Sequence, residues 1–281
     1  MLTDKESANT YKGIQLELFY DYNSPEITEF KKNYKHMSTN SSEFEQFCWI
    51  RWFYLLNLMK KTNIQSVFYF DSDVLIYSSI SDMIKCYSDL KLKCGFCIPK
   101  QDYDSLRWTA SGHASFWTLD MLEAFCDFIL KSFQKSHYLK MYEKKWVWHR
   151  SSATQGGICD MTTLFLFWKE KSDEIINLLK SHNGIVFDHS INFGSNYYVN
   201  QYQEEKRMKK FDFSGGVPYF FVRDSEIKER VFALHFQSGA KKYMPLYYRG
   251  NKFFPGRIKS DLWRLAQYPI KVGKVISRLL G

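Results

Sequence analysis

The sequence predicts an α/β protein whose sheet is mixed, mostly parallel and flanked by helices. Two observations lead to this class. Segments with strand and helix patterns alternate along the chain. In addition, the strand at 66–70, Ser-Val-Phe-Tyr-Phe, is apolar after its serine, as expected where helices cover both faces of a sheet. Ligands of such sheets bind beyond the carboxyl ends of the strands, so we expect a site directly after Phe70.

Each element follows from a local pattern. A helix over 41–61 is predicted from Ser42 as N-cap, Glu45 three residues later, and apolar residues at helical spacing. Those apolar residues are Phe44, Phe47, Ile50, Phe53 and Leu56. The further predicted elements are strands 92–99 and 113–118, a helix over 118–133 capped by Thr118 or Asp120, a helix over 160–179 that follows the polar, Trp-rich stretch 144–157, and strands 184–187, 217–222 and 231–236.

The composition narrows the classes of protein. A chain of 281 residues with 45% hydrophobic and 25% charged residues is globular, and one large domain with insertions is preferred. Disordered and collagen-like chains are excluded. The net charge of +9 suggests an anionic partner such as a nucleotide, a nucleic acid or an acidic membrane surface. Aromatic residues, at 18%, are expected mainly in the core, with a sugar or base pocket as the alternative.

The six cysteines indicate reduced thiols, because the opening residues lack the profile of a signal peptide. We therefore expect a cytoplasmic protein. Cys94 and Cys97 form a single CxxC pair, for which a buried strand is favoured over a metal or redox site. No apolar run approaches the length of a membrane span.

The segment 257–281 differs from the rest of the chain. It is basic, with apolar residues between the charges. This pattern is typical of helices that lie on anionic membranes and also of ordinary solvated helices. We therefore treat 1–256 as the main domain and 257–281 as a basic amphipathic tail, with peripheral contact at the inner face of a membrane as one of its two interpretations.

Asp71 and Asp73 follow the apolar strand directly. In an extended chain, residues two apart point to the same side, so both carboxylates could meet at one point. Their mutual repulsion would be relieved by a divalent cation such as Mn²⁺ or Mg²⁺. The alternative, of about equal weight from spacing alone, is a turn in which Ser72 and Asp73 cap the next segment.

A second segment favours the metal. His235 lies in an apolar strand, and Lys241 follows after a glycine, where the chain must turn. A lone histidine in a strand is usually a core residue. A histidine that ligates a metal and a lysine that reaches a diphosphate on that metal would nevertheless form a coherent pair.

These two segments resemble a known family. FYFDSDVLIY resembles the DxD segment of GT-A (Rossmann-like) glycosyltransferases, and HFQSGAKK is similar to the His-Phe-x-Gly-x-x-Lys-Pro-Trp motif of the glycogenin-like family, family eight, of retaining glycosyltransferases. The resemblance implies that Asp71, Asp73 and His235 chelate Mn²⁺ and that Lys241 contacts the diphosphate of a nucleotide sugar. Two departures are visible. The glycine, Gly239, falls one place late, and Lys-Tyr replaces Pro-Trp.

Looser similarities cover other parts of residues 40–245. Arg51 resembles a basic residue near the donor sugar, with a solvated helix arginine as the alternative. Ser111 and Gly112 lie in a segment that resembles another part of the sugar site. Asp160 resembles the aspartate beside donor and acceptor, with a plain N-cap as the alternative. The opening nucleotide-binding strand of the family has no clear counterpart, through divergence or truncation.

The resemblance therefore implies a metal-dependent glycosyltransferase. It would move a sugar from a nucleotide sugar, with a UDP-sugar expected, to a glycan, lipid-linked or protein acceptor in surface glycan synthesis. Asp160 or a leaving phosphate oxygen would assist the acceptor hydroxyl. The alternatives are a nucleotidyltransferase and a non-catalytic basic module that binds nucleic acid or membranes. The scattered basic residues argue against nucleic acid as a partner.

Overall fold

The computed structural model describes residues 2–3, 15–90 and 92–249. The chain divides into two compact units. The first unit contains the residues up to Phe70 and then 87–180, and the second contains 71–86 and the residues from Ser181 onward. The segment 257–281, for which membrane contact is one interpretation, lies outside the described residues.

A four-stranded sheet forms the centre of the first unit. With strands numbered along the whole chain, this unit contains β1 (Leu2–Thr3), β2 (Glu17–Leu18), β3 (Ser66–Phe70), β5 (Cys94–Cys97), β6 (Ser111–Thr118) and β7 (Ile175–Asn177). The strand order in the sheet is β3-β6-β5-β7, and β1 pairs with β2 separately. β6 runs antiparallel to both of its neighbours, whereas β7 runs parallel to β5.

The expected predominance of parallel pairs is wrong. Most strand pairs among the described residues are antiparallel, and the protein is an α/β protein with mixed sheets. Between β5 and β6 the chain contains one 3₁₀ helix, Lys100–Asp102, and no α-helix of the kind that usually connects parallel strands.

Helices pack around this sheet. They are α1 (Pro25–Asn33), α2 (Ser42–Thr62), α4 (Leu119–Gln134), α5 (Ser136–Ser151) and α6 (Asp160–Glu170), and a 3₁₀ helix spans Phe19–Tyr22. The core that they share is strongly aromatic. Trp49, Trp52, Phe53, Trp117 and Phe125 are buried in it. Most of the unusual aromatic content of this unit is therefore accounted for by packing.

The start of α2 differs by one residue from the prediction. Ser41, and not Ser42, is the N-cap, because its Oγ accepts the Phe44 N–H at 3.3 Å. Glu45 does not complete a capping box with Ser42, and its carboxylate accepts the Ser38 hydroxyl at 2.6 Å. Of the five apolar residues at helical spacing, Ile50, Phe53 and Leu56 are buried, whereas Phe44 and Phe47 are exposed.

Two further helices differ from the sequence prediction. α5 covers much of the Trp-rich stretch for which no helix was predicted. The helix that starts at Asp160 ends at Glu170, well before residue 179, because Ile175–Asn177 joins the sheet as β7. Thr118 is the N-cap residue of α4, but its hydroxyl bonds the Asp120 carboxylate and no backbone N–H.

The second unit is built from short strands. It contains β4 (Val74–Ile76), α3 (Ile80–Cys86), β8 (Ile185–Val186), β9 (Glu204–Glu205), β10 (Met208–Lys209), β11 (Phe211–Ser214), β12 (Val217–Phe221), β13 (Lys228–Val231), β14 (Ala233–His235), a 3₁₀ helix at Ser238–Tyr243 and α7 (Met244–Tyr247). One sheet has the order β11-β12-β13-β8, and β14 pairs antiparallel with β4 in another. The predicted strand at 231–236 is therefore split between β13 and β14.

Cys94 and Cys97 lie on the buried strand β5, as predicted, and the Cys97 Sγ lies 3.8 Å from His113 Nε2. Burial raises the pKa of the Cys94 thiol well above its ordinary value, so it stays protonated. Within the described part of the chain, no helix combines the length and the apolar character that crossing a membrane requires.

Candidate functional site

The two aspartates that follow β3 lie in a turn. β3 ends at Phe70, and the Val74 N–H donates to the Asp71 carbonyl at 3.2 Å. The chain turns here, so the extended backbone from which a shared direction of the two carboxylates was expected is not found at Asp71 and Asp73. Asp73 is buried, whereas Asp71 is half-buried. The two carboxylates therefore have different surroundings, and Asp73 is the one that the structure connects to His235 and Lys241.

Strand pairing brings Asp73 to His235. β14 pairs with β4 so that His235 lies opposite Val74, and the Phe236 N–H donates to the Asp73 carbonyl at 2.9 Å. His235 Nε2 lies 3.6 Å from Asp73 Oδ1, and Lys241 Nζ lies 3.1 Å from Asp73 Oδ2. Two predicted side chains from one segment, His235 and Lys241, thus lie beside the carboxylate of Asp73, which was predicted from a distant segment.

The orientation of the His235 ring is fixed by a backbone carbonyl. Its Nδ1 lies 2.6 Å from the His189 carbonyl oxygen. A carbonyl can only accept, so Nδ1 carries the hydrogen. In the neutral imidazole Nε2 then has a lone pair, and that lone pair lies on the side of the Asp73 carboxylate. Two acceptor atoms that face each other are stabilised by a proton or a cation between them.

A buried ion pair supports His235 from behind. Lys209 Nζ lies 2.5 Å from Asp188 Oδ1, and both side chains are 0% exposed. The other oxygen, Asp188 Oδ2, accepts the backbone N–H of His235 at 3.0 Å. The sequence analysis missed both residues. The signal that could have found Asp188 is its place directly after a predicted strand, the same position that marks Asp71.

His189, next to this pair, stays neutral. Burial, together with the positive charge of Lys209 and the neighbouring His235, lowers the pKa of His189 to about 3. Its contribution to His235 is made by its carbonyl, since that oxygen holds the Nδ1 hydrogen.

The donor atoms suit a divalent cation in part. Carboxylate oxygen and imidazole nitrogen are ligands that Mn²⁺ accepts, and neighbouring ligands of one octahedral ion lie roughly 3 Å apart. The distance of 3.6 Å between Asp73 and His235 is close to that spacing. Across the described residues, however, no group of three or more His, Cys, Asp or Glu side chains is arranged to hold a metal. Asp73 and His235 fit a shared cation, and Asp71 does not complete the set in this conformation.

The loop that carries Lys241 places a serine where the family motif has glycine. Ser238 has φ of 52°, in the left-handed region, and begins the 3₁₀ helix Ser238–Tyr243. Gly239 is not among the residues with positive φ. The backbone therefore makes its left-handed step at Ser238, where a side chain makes the conformation costly. Lys241 is more than half exposed, with 59% of its side chain accessible.

A second group of predicted residues lies in the first unit. Arg51 Nη2 lies 2.7 Å from Asp160 Oδ2, and the same oxygen accepts the Trp52 Nε1–H at 3.0 Å. Arg51 also donates to the Tyr69 hydroxyl at 3.1 Å, and its guanidinium lies over the Trp52 ring at 4.8 Å. Cys159 is the N-cap of α6, so Asp160 is its first helical residue and not its cap.

Gly112 and Ser111 lie on β6 in the same unit. A Cβ at Gly112 would lie 2.6 Å from the Trp52 ring, so glycine is needed for this close approach. Trp52 thereby links Gly112 to the Asp160 carboxylate. Ser111 is buried, and its Oγ lies 2.7 Å from His113 Nδ1. Its side chain is therefore occupied within the protein, whereas Arg51, Asp160 and Gly112 surround one indole ring.

No model of a known protein family matches the chain, and a search of curated proteins finds no match either.

Proposed function

We propose that this protein is a metal-dependent glycosyltransferase that takes its sugar from a nucleotide sugar, with a UDP-sugar as the preferred class of donor. The observation that carries the proposal is the convergence of Asp73, His235 and Lys241 in the second unit. The resemblance to GT-A enzymes of the glycogenin-like family assigns these residues to the metal and the diphosphate. Acceptors would be glycans, lipid-linked sugars or proteins in surface glycan synthesis.

Each residue has a distinct task in the proposed reaction. Asp73 and His235 would hold Mn²⁺ or Mg²⁺, which when bound neutralises charge on the diphosphate. Lys241 ion-pairs with Asp73 in the structure, and its exposed ammonium can turn to the departing phosphate oxygens. The bond between the anomeric carbon and the diphosphate breaks with its electron pair on the UDP oxygen. A bond from the acceptor oxygen to that carbon forms, and the acceptor proton passes to a base.

Charge stabilisation is the main contribution expected from the second unit. A diphosphate that leaves a sugar gains negative charge, and a lysine placed beside it lowers the barrier. The tautomer of His235 supports this role, because its Nδ1 hydrogen is held by a carbonyl and Nε2 is left as the ligating atom.

The Arg51–Asp160 pair is the second part of the proposal and rests on the resemblance alone. Asp160 is nearly buried, with 4% of its side chain exposed, and holds two donors on one oxygen. The family likeness assigns Asp160 to the donor sugar and acceptor and Arg51 to the donor sugar. Loss of UDP release in Asp160→Asn would support that assignment.

The decisive experiment measures UDP release from a panel of UDP-sugars with and without Mn²⁺. We compare the wild type with Asp73→Asn and with Asp212→Asn as a matched control. Asp212 is an exposed carboxylate of the same unit, paired with Lys228 at 2.7 Å. We expect Mn²⁺-dependent release that falls at least about 100-fold in Asp73→Asn, since a metal ligand contributes several kcal/mol to the transition state.

Three results would oppose the proposal. Release that does not depend on metal would remove the role of Asp73 and His235. An Asp73→Asn variant as active as Asp212→Asn would do the same. Release of a sugar 1-phosphate in place of UDP, which is the product when the uridylyl group is transferred, would favour the nucleotidyltransferase alternative.

A further inference from the structure

We propose that Asp188 and Lys209 form a positioning pair that sets His235 in the geometry needed to bind a divalent cation together with Asp73. This inference rests on the proposed function, because it concerns the same site. It assigns a role to two residues outside the motifs that suggested the activity.

Three hydrogen bonds hold His235 against the segment 188–191. Its backbone N–H donates to Asp188 Oδ2 at 3.0 Å, and its Nδ1–H donates to the His189 carbonyl at 2.6 Å. Its own carbonyl accepts the Ile191 N–H at 3.0 Å. Both the backbone and the ring of His235 are therefore defined by one short segment, and the direction of Nε2 follows from them.

Lys209 holds that segment in place. Its ammonium donates to Asp188 Oδ1 at 2.5 Å and to the Ser190 carbonyl at 2.8 Å. Its backbone N–H donates to the Ile191 carbonyl at 2.7 Å. The segment has no regular secondary structure, so these contacts take the place of a strand or helix in fixing it.

The ion pair at this place indicates a role in positioning His235, and not a role in stabilising the fold. Lys209 and Asp188 are both 0% exposed, and removing two charges from water offsets most of their attraction. Replacement of such a pair by apolar residues is often neutral for stability. A carboxylate, however, offers two acceptor oxygens, and here one takes the lysine while the other takes the His235 N–H.

Asp188→Asn keeps the shape of the side chain but removes one of its two acceptor oxygens, so it can no longer accept from both Lys209 and the His235 N–H. An amide offers only one oxygen, so its NH₂ group must face either the Lys209 ammonium or the His235 N–H. In both arrangements two donors oppose each other, and either the segment or the histidine shifts. The variant therefore tests whether the position of His235 depends on this carboxylate.

The experiment measures binding of Mn²⁺ alone to the full chain by electron paramagnetic resonance, without donor or acceptor. Near-ultraviolet circular dichroism checks that each variant is folded. We expect Mn²⁺ binding about 10- to 100-fold weaker in Asp188→Asn than in wild type, the usual effect of removing a residue that orients a metal-ligating histidine. Asp212→Asn, with the same change of charge in the same unit, should bind as the wild type does.

The outcomes separate this inference from the function on which it rests. Folded Asp188→Asn with wild-type Mn²⁺ affinity overturns the positioning pair alone. A wild type that binds no Mn²⁺ overturns both. If Asp188→Asn does not fold, the ring nitrogens of His235 in the metal-free wild type are observed by ¹⁵N nuclear magnetic resonance and assigned with His235→Gln. Since the His189 carbonyl belongs to the segment that the pair fixes, a hydrogen on Nδ1 supports the positioning of the ring by that segment, and a hydrogen on Nε2 rejects it.

Discussion

Both units of the molecule bury a lysine, and the two lysines are treated differently. In the first unit, Lys145 donates to two neutral oxygens, the Thr162 hydroxyl at 2.6 Å and the Trp108 carbonyl at 3.3 Å. In the second unit, Lys209 is paired with the Asp188 carboxylate at 2.5 Å. Burial lowers the pKa of Lys145 to about 8, so its proton is weakly held.

The different partners of Lys145 and Lys209 indicate different roles for the two buried charges. A buried lysine with neutral partners costs stability while it is charged, and it can give up its proton near neutral pH. A buried lysine that is paired with a carboxylate is held in one position by the ion pair, and its other hydrogen bonds fix the backbone around it. Lys209 pairs with Asp188, which accepts the backbone N–H of His235. The proposed reaction requires a fixed position for the His235 side chain.

The largest expected effect on the free energy of unfolding comes from breaking the buried pair of Asp188 and Lys209. Lys209→Met leaves the Asp188 carboxylate buried without its cation, and we expect a loss of about 3–5 kcal/mol in the free energy of unfolding. Urea denaturation followed by circular dichroism measures it. Lys228→Met, which breaks an exposed pair in the same unit, should cost at most about 1 kcal/mol. Equal effects of the two variants would contradict the distinction between buried and exposed pairs.

The next effect depends on pH and concerns Lys145. Below about pH 8 both folded and unfolded chains carry the proton, so the penalty for the buried charge is fully present. Between about 8 and the ordinary lysine pKa of 10.5, only the unfolded chain keeps the proton. Stability contributed by this residue therefore rises with pH across that window, by up to about 3 kcal/mol.

The variant Lys145→Met removes this dependence. We expect the difference in unfolding free energy between wild type and variant to move in favour of the wild type as the pH rises from 7 to 10.5. Urea denaturation at several pH values gives that difference directly, and groups common to both proteins cancel. A difference that stays constant over the window would show that Lys145 has an ordinary affinity for its proton.

The smallest effect concerns the left-handed step before Lys241. Ser238→Gly removes the strain of φ at 52° but gives the unfolded chain more freedom. We expect a net gain of about 0.5–1 kcal/mol in the unfolding free energy. Ser238→Ala keeps a Cβ and serves as the control, for which no gain is expected. A destabilised glycine variant would mean that the serine side chain stabilises this turn.

Much of the site in the second unit follows from the sequence because its chemistry is rare. Two acidic residues directly after an apolar strand, a histidine in a second apolar strand and a lysine in the turn after it are an unusual combination, and the structure brings Asp73, His235 and Lys241 together. Asp188 follows a predicted strand directly, but nothing in the sequence indicates its partner. Lys209 is an ordinary charged residue in sequence, and only tertiary pairing shows that both residues are buried.

The errors in the predicted fold also arise from tertiary pairing that the sequence does not reveal. The pattern of 160–179 is helical along its length, but Ile175–Asn177 gains more by pairing with β5. The direction of β6 is set by its antiparallel pairing with β3 and β5, which a run of apolar residues does not reveal. Local pattern predicted the longer elements, such as β6, α2 and α4, but not helices α1 and α5. The directions and ends of the predicted elements were decided by partners distant in sequence.

The aspartate turn has a consequence for the order of folding during synthesis. Residues 71–86 are a short excursion from the first unit, and the strand within them, β4, pairs with β14 near the end of the described chain. A nascent chain that has not reached residue 233 cannot form that pair. Closing so long a loop is slow compared with local contacts. On the ribosome, therefore, Asp73 meets His235 and Lys241 only after residue 241 has been made, long after Asp73 itself.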